Sequence, residues 1–280
     1  MTRVSGTTQV FPVVAWPVEQ VKAPAIYNAY FTKHGIDAVC VPMCVAPDDY
    51  VAFARAMMRA SNVGGLCISI PHKPMTLCLA DVVTQAAATA GAANAMYRNA
   101  DGQVVADMID GEGFVRALDL TTRSQFDYSV NSALVVGCGG VGSAIAASLA
   151  GRGIAALGLI DIDSTMAERL ASSLRSRYPG VEISTQAAEE SRFDLMVNGT
   201  PLGMQPGDRM PFSLERAKPT AVIADCGMKT EMTELLRVAQ SRGHPIQRGK
   251  EMLFEQAPLY MDRFGWPGTT ADEFRALEVL

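Results

Sequence analysis

Two stretches of the chain put ligand-binding or reactive residue types where an element ends. In residues 132–153, SALVVGCGGVGSAIAASLAGRG, five mostly apolar residues run into Gly137-x-Gly139-x-x-Gly142 and then into an alanine-rich, helix-compatible segment. Such a loop suits the pyrophosphate of a dinucleotide. The first glycine permits the tight turn, the second lets backbone approach the anion, and the third lets helix and strand pack closely. Gly140 and Val141 complete the loop, whose amides open the helix and face the anion. The competing reading is a glycine-rich strand-to-helix turn with no ligand. In residues 67–74, CISIPHKP, an apolar strand stops at Pro71 and presents His72 and Lys73 in succession. That lysine is either a solvated strand terminus or an amine aimed at a site beyond the strand, and the fragment alone leaves both open.

The strand after the glycine loop, LGLID, ends in Asp161, 19 residues beyond Gly142. A carboxylate there accepts hydrogen bonds from a ribose 2′-hydroxyl and repels a 2′-phosphate, and no Lys or Arg appears before Arg169. NAD is therefore expected in preference to NADP, with Asp161 as the ribose ligand and Ile162 beside it. Asp163 helps start the following helix, in which Thr165 and Glu168 have the spacing of a capping box.

Positioning these residues requires α/β architecture, and short apolar strands do alternate with helical periodicity along nearly the whole chain. Residues 11–16 read as a strand, followed by a helix over about 24–34 closed by Gly35 in a left-handed cap. AVCVPM, GLCISI, FDLMVN and AVIADCG read as further strands, and PDDYVAFARAMMRAS as a helix. NAMYRNADGQVVADM holds two extended runs around Asp101-Gly102, a hairpin turn. The helix in TEMTELLRVAQSRG ends at Gly243. A last helix covers about 249–264, where Pro258 is expected to interrupt it or restrict its start.

Composition narrows the class. The chain has 280 residues, a net charge of −5, and 19% charged against 49% hydrophobic residues. Neither a basic tail nor a run of Lys and Arg points to nucleic acid. The longest apolar stretches are broken by Gly, Pro or charge, so no membrane span is expected, and the first residues lack a signal-peptide core. The six cysteines form no CxxC pair and lie mostly in apolar runs, as small hydrophobes of a reducing compartment do. Three histidines outside any ligand motif argue against a metal site. A cytoplasmic protein, monomer or homodimer, is expected.

SIPHK (69–73), GAANAMY (91–97), DGEGF (110–114), VVGCGGVGSA, VNGTPLGM (197–204) and MLFEQAP (252–258) stand in the order and spacing of the shikimate/quinate dehydrogenases, which this chain resembles over nearly its whole length. The resemblance implies an N-terminal α/β substrate domain, residues 1–108 with a return segment 249–280, and a Rossmann domain at 109–248, with the active site in the cleft between them. It also implies reversible hydride transfer between a nicotinamide and a small-molecule cyclic secondary alcohol. Lys73 and Asp110 match the family's catalytic pair, acting as base and orienter or sharing the proton as one coupled unit. Asn94 and Gln256 match residues that hold ring hydroxyls, Ser69 stands for a threonine, and Thr200 and Met204 fall in the cofactor-binding VNGTPLGM block. Taken singly, Asn94 reads as a turn residue, Asp110 as a helix cap and Gln256 as a solvated helix position; their joint order reverses those readings. A methylene-tetrahydrofolate dehydrogenase also pairs a lysine with a Rossmann domain, but lacks the last two blocks. A catalytically silent dinucleotide sensor of the same fold is the other alternative, against which the Lys73/Asp110 pair counts.

The pocket departs from the family at its carboxylate-binding end. A Ser-x-Ser-Pro is usual, and here Val21 and Ala23 occupy the serine positions. Neither side chain can donate a hydrogen bond. Two lost bonds to a carboxylate would cost about 3–6 kcal/mol. Cys67 replaces an asparagine, Met108 another, and Met228 and Lys229 stand where tyrosine and asparagine are common. A less polar or differently substituted cyclic alcohol is expected, unless Lys22 or Gln20 supplies another anion contact.

Overall fold

The structure is a computed structural model that describes residues 4–186, 189–205 and 207–279. It divides into two compact units, Met1–Ile109 with Gln256–Leu280, and Asp110–Glu255. The second boundary falls inside the last long helix.

The first unit contains β1 (Gln9–Ala15), α1 (Ala23–His34), β2 (Ala38–Cys44), α2 (Tyr50–Met57), β3 (Gly65–Ile68), β4 (Val82–Val83), α3 (Gln85–Ala90), β5 (Ala95–Arg98) and β6 (Val104–Asp107). Its sheet runs β2-β1-β3-β5-β6-β4. β1 pairs in parallel with both β2 and β3, and β5 is antiparallel to β3 and to β6. The chain leaves β1 through α1 to β2 on one side and later returns to β3 on the other. That makes the carboxyl ends of β1 and β3 a topological switch point, where open α/β sheets bind ligands. Gly35 closes α1 at φ 64°, and Asp101-Gly102 lies between the β5 and β6 strands of the expected hairpin. The helix read over PDDYVAFARAMMRAS is shorter: a 3₁₀ turn at Pro47–Asp49 precedes α2.

The second unit contains α4 (Asp110–Thr121), β7 (Ser132–Val136), α5 (Gly140–Gly151), β8 (Ala156–Ile160), α6 (Ser164–Arg177), β9 (Glu182–Ser184), β10 (Leu195–Asn198), β11 (Val222–Asp225), α7 (Glu234–Ser241) and β12 (Ile246–Gln247). Its sheet, β12-β11-β10-β7-β8-β9, is parallel throughout, with the switch point between β7 and β10. Its strands read as unbroken apolar runs because both faces are covered. α4 packs on α5 at Gly111, where a Cβ would come within 2.1 Å of the Ala144 carbonyl oxygen.

Two expectations fail locally. α8 (Gly249–Arg263) continues through Pro258, because Ala257, Tyr260, Met261 and Phe264 are buried by tertiary packing that outweighs one missing backbone bond. α9 (Ala271–Arg275) follows it. The Thr165/Glu168 capping box does not form: Asp163 is the cap of α6 and accepts the Thr165 amide at 2.9 Å. Thr165 is thereby drawn inside the helix, its hydroxyl also bonded to Asp163 at 2.6 Å.

Candidate functional site

The glycine loop lies at the switch point of the second sheet. Gly137 sits at φ 96°, and a Cβ there would be 2.7 Å from Thr200 Cγ2; on Gly142 it would be 1.8 Å from the Gly137 carbonyl oxygen. Both positions demand a bare backbone. Gly139 caps α5 with nothing within 4 Å of its would-be Cβ, so backbone there can meet a bulky anion directly. Gly140, Val141 and Gly142 form the first turn, whose amides point out of the helix end. This cradle fits a dinucleotide pyrophosphate.

Asp161, the expected ribose ligand, is tied to backbone on both sides. Its Oδ2 accepts the Cys138 amide at 2.6 Å and its Oδ1 accepts the Asp163 amide at 2.9 Å. The carboxylate spans the glycine loop and the turn after β8, each oxygen accepting one backbone amide. Ile162, 98% exposed, stands at the tip of that turn.

Facing the loop from β10, Asn198 is a residue that sequence reasoning missed. It is fully buried; its Oδ1 accepts the Thr200 amide and hydroxyl at 3.0 and 2.7 Å, and its Nδ2 donates to the Leu202 carbonyl at 2.9 Å. Asn198 therefore shapes the segment carrying Thr200 and Met204. Beside it, Asp225 accepts the Thr233 hydroxyl and the Gly227 amide, each at 2.8 Å. Burial raises the Asp225 carboxyl above its ordinary range, opposed by hydrogen bonds from Gly227, Asn198 and Thr233. The signal for Asn198 was available: a polar residue ending an otherwise apolar strand.

In the first unit, the predicted residues gather at the carboxyl ends of β1 and β3. The strand ends two residues before the expected Ile70, yet the Ser69 amide still donates to the Val14 carbonyl at 2.8 Å and the Trp16 amide to the Ile70 carbonyl at 3.0 Å. Lys73 is half-buried, and its carbonyl accepts the Ala93 amide at 2.9 Å. That bond ties it to the segment bearing Asn94, which is 1% exposed. The Asn94 side-chain oxygen accepts the Ile109 amide at 2.8 Å, which turns the amide nitrogen the other way. Its backbone carbonyl takes the Ile68 amide at 2.7 Å and the Tyr260 hydroxyl at 2.9 Å. Gln256, 5% exposed, stands one turn before Tyr260 on α8. Burial thus rules out the solvated helix position that Gln256 would occupy as an isolated residue.

Val21 and Ala23 are half-buried at the start of α1, and Gln20 donates to the Pro17 carbonyl at 2.7 Å. Cys67 is buried at the centre of the sheet, where burial keeps its thiol well above the ordinary range. His72 is 2% exposed and stacks on Tyr50 at 4.3 Å; burial lowers its pKa, against a backbone hydrogen bond to Val45 that raises it. It is a packed neighbour of Lys73. Asp110 opens α4 in the second unit and is 4% exposed. A cavity of about 500 Å³ in that unit, lined by Arg123, Asn131 and Asp194 among others, lies at the amino ends of the strands and holds none of these residues. Among the described residues, no cluster of three or more His, Cys, Asp or Glu could hold a metal ion, and no helix is long and apolar enough to cross a membrane.

Residues 13–96 match the shikimate dehydrogenase substrate binding domain family, and residues 117–183 the ThiF family. The chain is 33% identical to a shikimate dehydrogenase (NADP(+)) of Desulforamulus reducens, covering 96% of this chain and 93% of the relative. It is 31% identical to a shikimate dehydrogenase (NADP(+)) of Rhodospirillum rubrum, over 98% of both. A solved shikimate dehydrogenase in complex with NADP+ shares the fold at a TM-score of 0.87, with 23% identity and coverage of 99% of this chain and 96% of that one. These relatives overturn the expected preference for NAD, since they are named as NADP(+) enzymes. Asp161 does not decide the cofactor by its charge alone, because each of its oxygens already accepts a backbone amide, which offsets part of its repulsion of a 2′-phosphate. With six sequence blocks in order, two α/β units and relatives matched end to end, the chain belongs to the shikimate dehydrogenase family of NAD(P)-dependent oxidoreductases.

Proposed function

We propose that this chain catalyses reversible hydride transfer between NADP(H) and a cyclic secondary alcohol of the shikimate/quinate type, altered at the position of the ring carboxylate. The observation that carries the reading is the contrast within the first unit. Asn94, Gln256 and Lys73 keep the polar edge, while Val21, Ala23 and Cys67 leave the serine and asparagine positions without strong donors. The NADP names of the relatives support the cofactor, and Arg169, whose charge reaches Asp163, is a cation on α6 suited to a 2′-phosphate.

Asn94 and Gln256 hold the ring hydroxyls and fix the carbinol against Lys73. The Lys73/Asp110 pair takes the hydroxyl proton as the C–H electron pair leaves as hydride, and returns it in the reverse direction. A positioned base of this kind contributes about 10²- to 10⁴-fold. When bound, the nicotinamide accepts or supplies that hydride. The glycine loop holds the pyrophosphate with backbone amides, and Asp161 keeps the loop in shape. The sensor alternative has no support among relatives named as enzymes. The protein is taken as cytoplasmic, as its composition suggests.

Steady-state assays with NADP+ and NAD+ against shikimate, quinate, methyl shikimate and uncharged cyclic diols test the reading. Turnover of a cyclic alcohol with NADP+ is expected, with the uncharged substrates favoured. Robust preference for shikimate would remove the altered-substrate part, and point to Lys22 as the anion contact.

A further inference from the structure

One tyrosine in the first unit buries its ring while its hydroxyl bonds nothing among the described residues. Tyr27 is 4% exposed, its ring edge-on to Tyr260 and Phe274 at 6.2 and 6.0 Å and stacked with Phe31 at 6.4 Å. Two other buried tyrosines are bonded within the unit: Tyr50 to Thr76 at 2.7 Å, and Tyr260 to the Asn94 carbonyl. The Tyr27 hydroxyl has no hydrogen-bond partner among the described residues. Its oxygen is not one of the sealed polar atoms left without a partner among the described residues, which are His72 Nε2, Gln247 Oε1 and Thr269 Oγ1. It therefore opens on accessible space, and a tyrosine hydroxyl held there without a protein partner calls for an explanation.

Its position supplies one. Tyr27 follows Ala23 by four residues on α1, so the two share a face one turn apart. Long helical side chains lean back toward the amino end. The hydroxyl is therefore carried over the turn that begins at Ala23, a position where the family has serine and this chain has no donor. α1 starts from the carboxyl end of β1, at the switch point that also holds Ser69 and Lys73. Burial raises the Tyr27 hydroxyl well above its ordinary range, and its neighbours Cys67 and Cys40 add to this, so it stays protonated and can donate. Those two thiols cannot form a disulfide. β1 runs between their strands and keeps the Cα atoms roughly 9 Å or more apart, beyond bridging distance.

We propose that the Tyr27 hydroxyl is a substrate-binding group of this chain, donating to an oxygen of the ring substituent that two serine hydroxyls hold elsewhere in the family. The assignment rests on the oxidoreductase reading above. One neutral donor in place of two suits an ester or other uncharged oxygen substituent, and a carboxylate would be held by the same bond.

Tyr27→Phe keeps the ring and removes only the hydroxyl. With NADP+, its KM for the better of shikimate and methyl shikimate should rise about tenfold, as for a site that loses one hydrogen bond to its substrate. The kcat should stay within about twofold, the KM for NADP+ should not move, and Tm should hold or rise, because no bond within the protein is lost. Adding Val21→Ser and Ala23→Ser to Tyr27→Phe should bring the KM for shikimate back down. An unchanged substrate KM in Tyr27→Phe, or an equal rise in the KM for NADP+, overturns the assignment. If the wild type turns over no member of the panel, the oxidoreductase reading fails instead, and the assignment falls with it.

Discussion

The two sheets offer a ligand different kinds of edge: bare backbone at the carboxyl edge of the second, where the glycine loop lies, and side chains at the carboxyl edge of the first. The glycine loop works because Gly137 and Gly142 have no side chain to collide with Thr200 or with the loop's own carbonyl. Its specification is an absence, and most substitutions there break it. Around β1 and β3, Val21, Ala23, Cys67 and Ser69 can exchange one small side chain for another while the strands keep their register. A family that varies its substrate therefore has room to do so in the first unit and little room in the second.

The contrast can be broken most sharply at Lys73. Lys73→Ala should lower kcat by about 10²- to 10⁴-fold, with the NADP+ dissociation constant unchanged by fluorescence titration. A parallel loss of NADP+ affinity would show that the two edges are not separable. Next comes Gly142→Ala, whose Cβ has nowhere to go. Overpacking of this kind costs about 1–3 kcal/mol, so Tm should fall and NADP+ binding weaken at least tenfold, as expected for a distorted anion cradle. Wild-type affinity in that variant would mean that the loop yields as readily as the substrate edge does.

The smallest effect concerns His72. Its folded-state pKa lies below the ordinary value of about 6.5, so the unfolded chain binds the proton first as pH falls. Stability should be complete above that value and decline as pH drops from about 6.5 toward the folded pKa. His72→Phe, which retains stacking on Tyr50, should flatten this part of the Tm-against-pH curve. An unchanged slope would place the titrating group elsewhere.

The same contrast governs what could be read in advance. The glycine loop was legible because its physics is local: three glycines, a strand before them and a helix after. The α/β pattern, the Gly35 cap and the strands of the Asp101-Gly102 hairpin were legible for the same reason. The cofactor preference drawn from Asp161 failed because a carboxylate ending a strand looks alike whether or not it also holds amides, and its partner Cys138 lies 23 residues away. Pro258 misled because helix propensity is a local quantity, whereas the burial holding α8 together comes from the rest of the fold. Tyr27 was invisible for a related reason: an aromatic at helical spacing reads as core, and only its surroundings reveal that its hydroxyl lacks a partner.

The closing of the first unit by its distant segment has a temporal consequence. Phe264 fills the space that Gly65 leaves bare and lies 4.7 Å from Phe11, which Trp266 also meets at 5.3 Å. These rings are translated after every strand of the sheet they cover, and until they emerge from the ribosome the core around Phe11 has no lid. Asp110–Glu255 is one uninterrupted stretch that carries every strand of its own sheet. The unit that carries the glycine loop can thus mature on the nascent chain while the other still waits for the rings that follow α8.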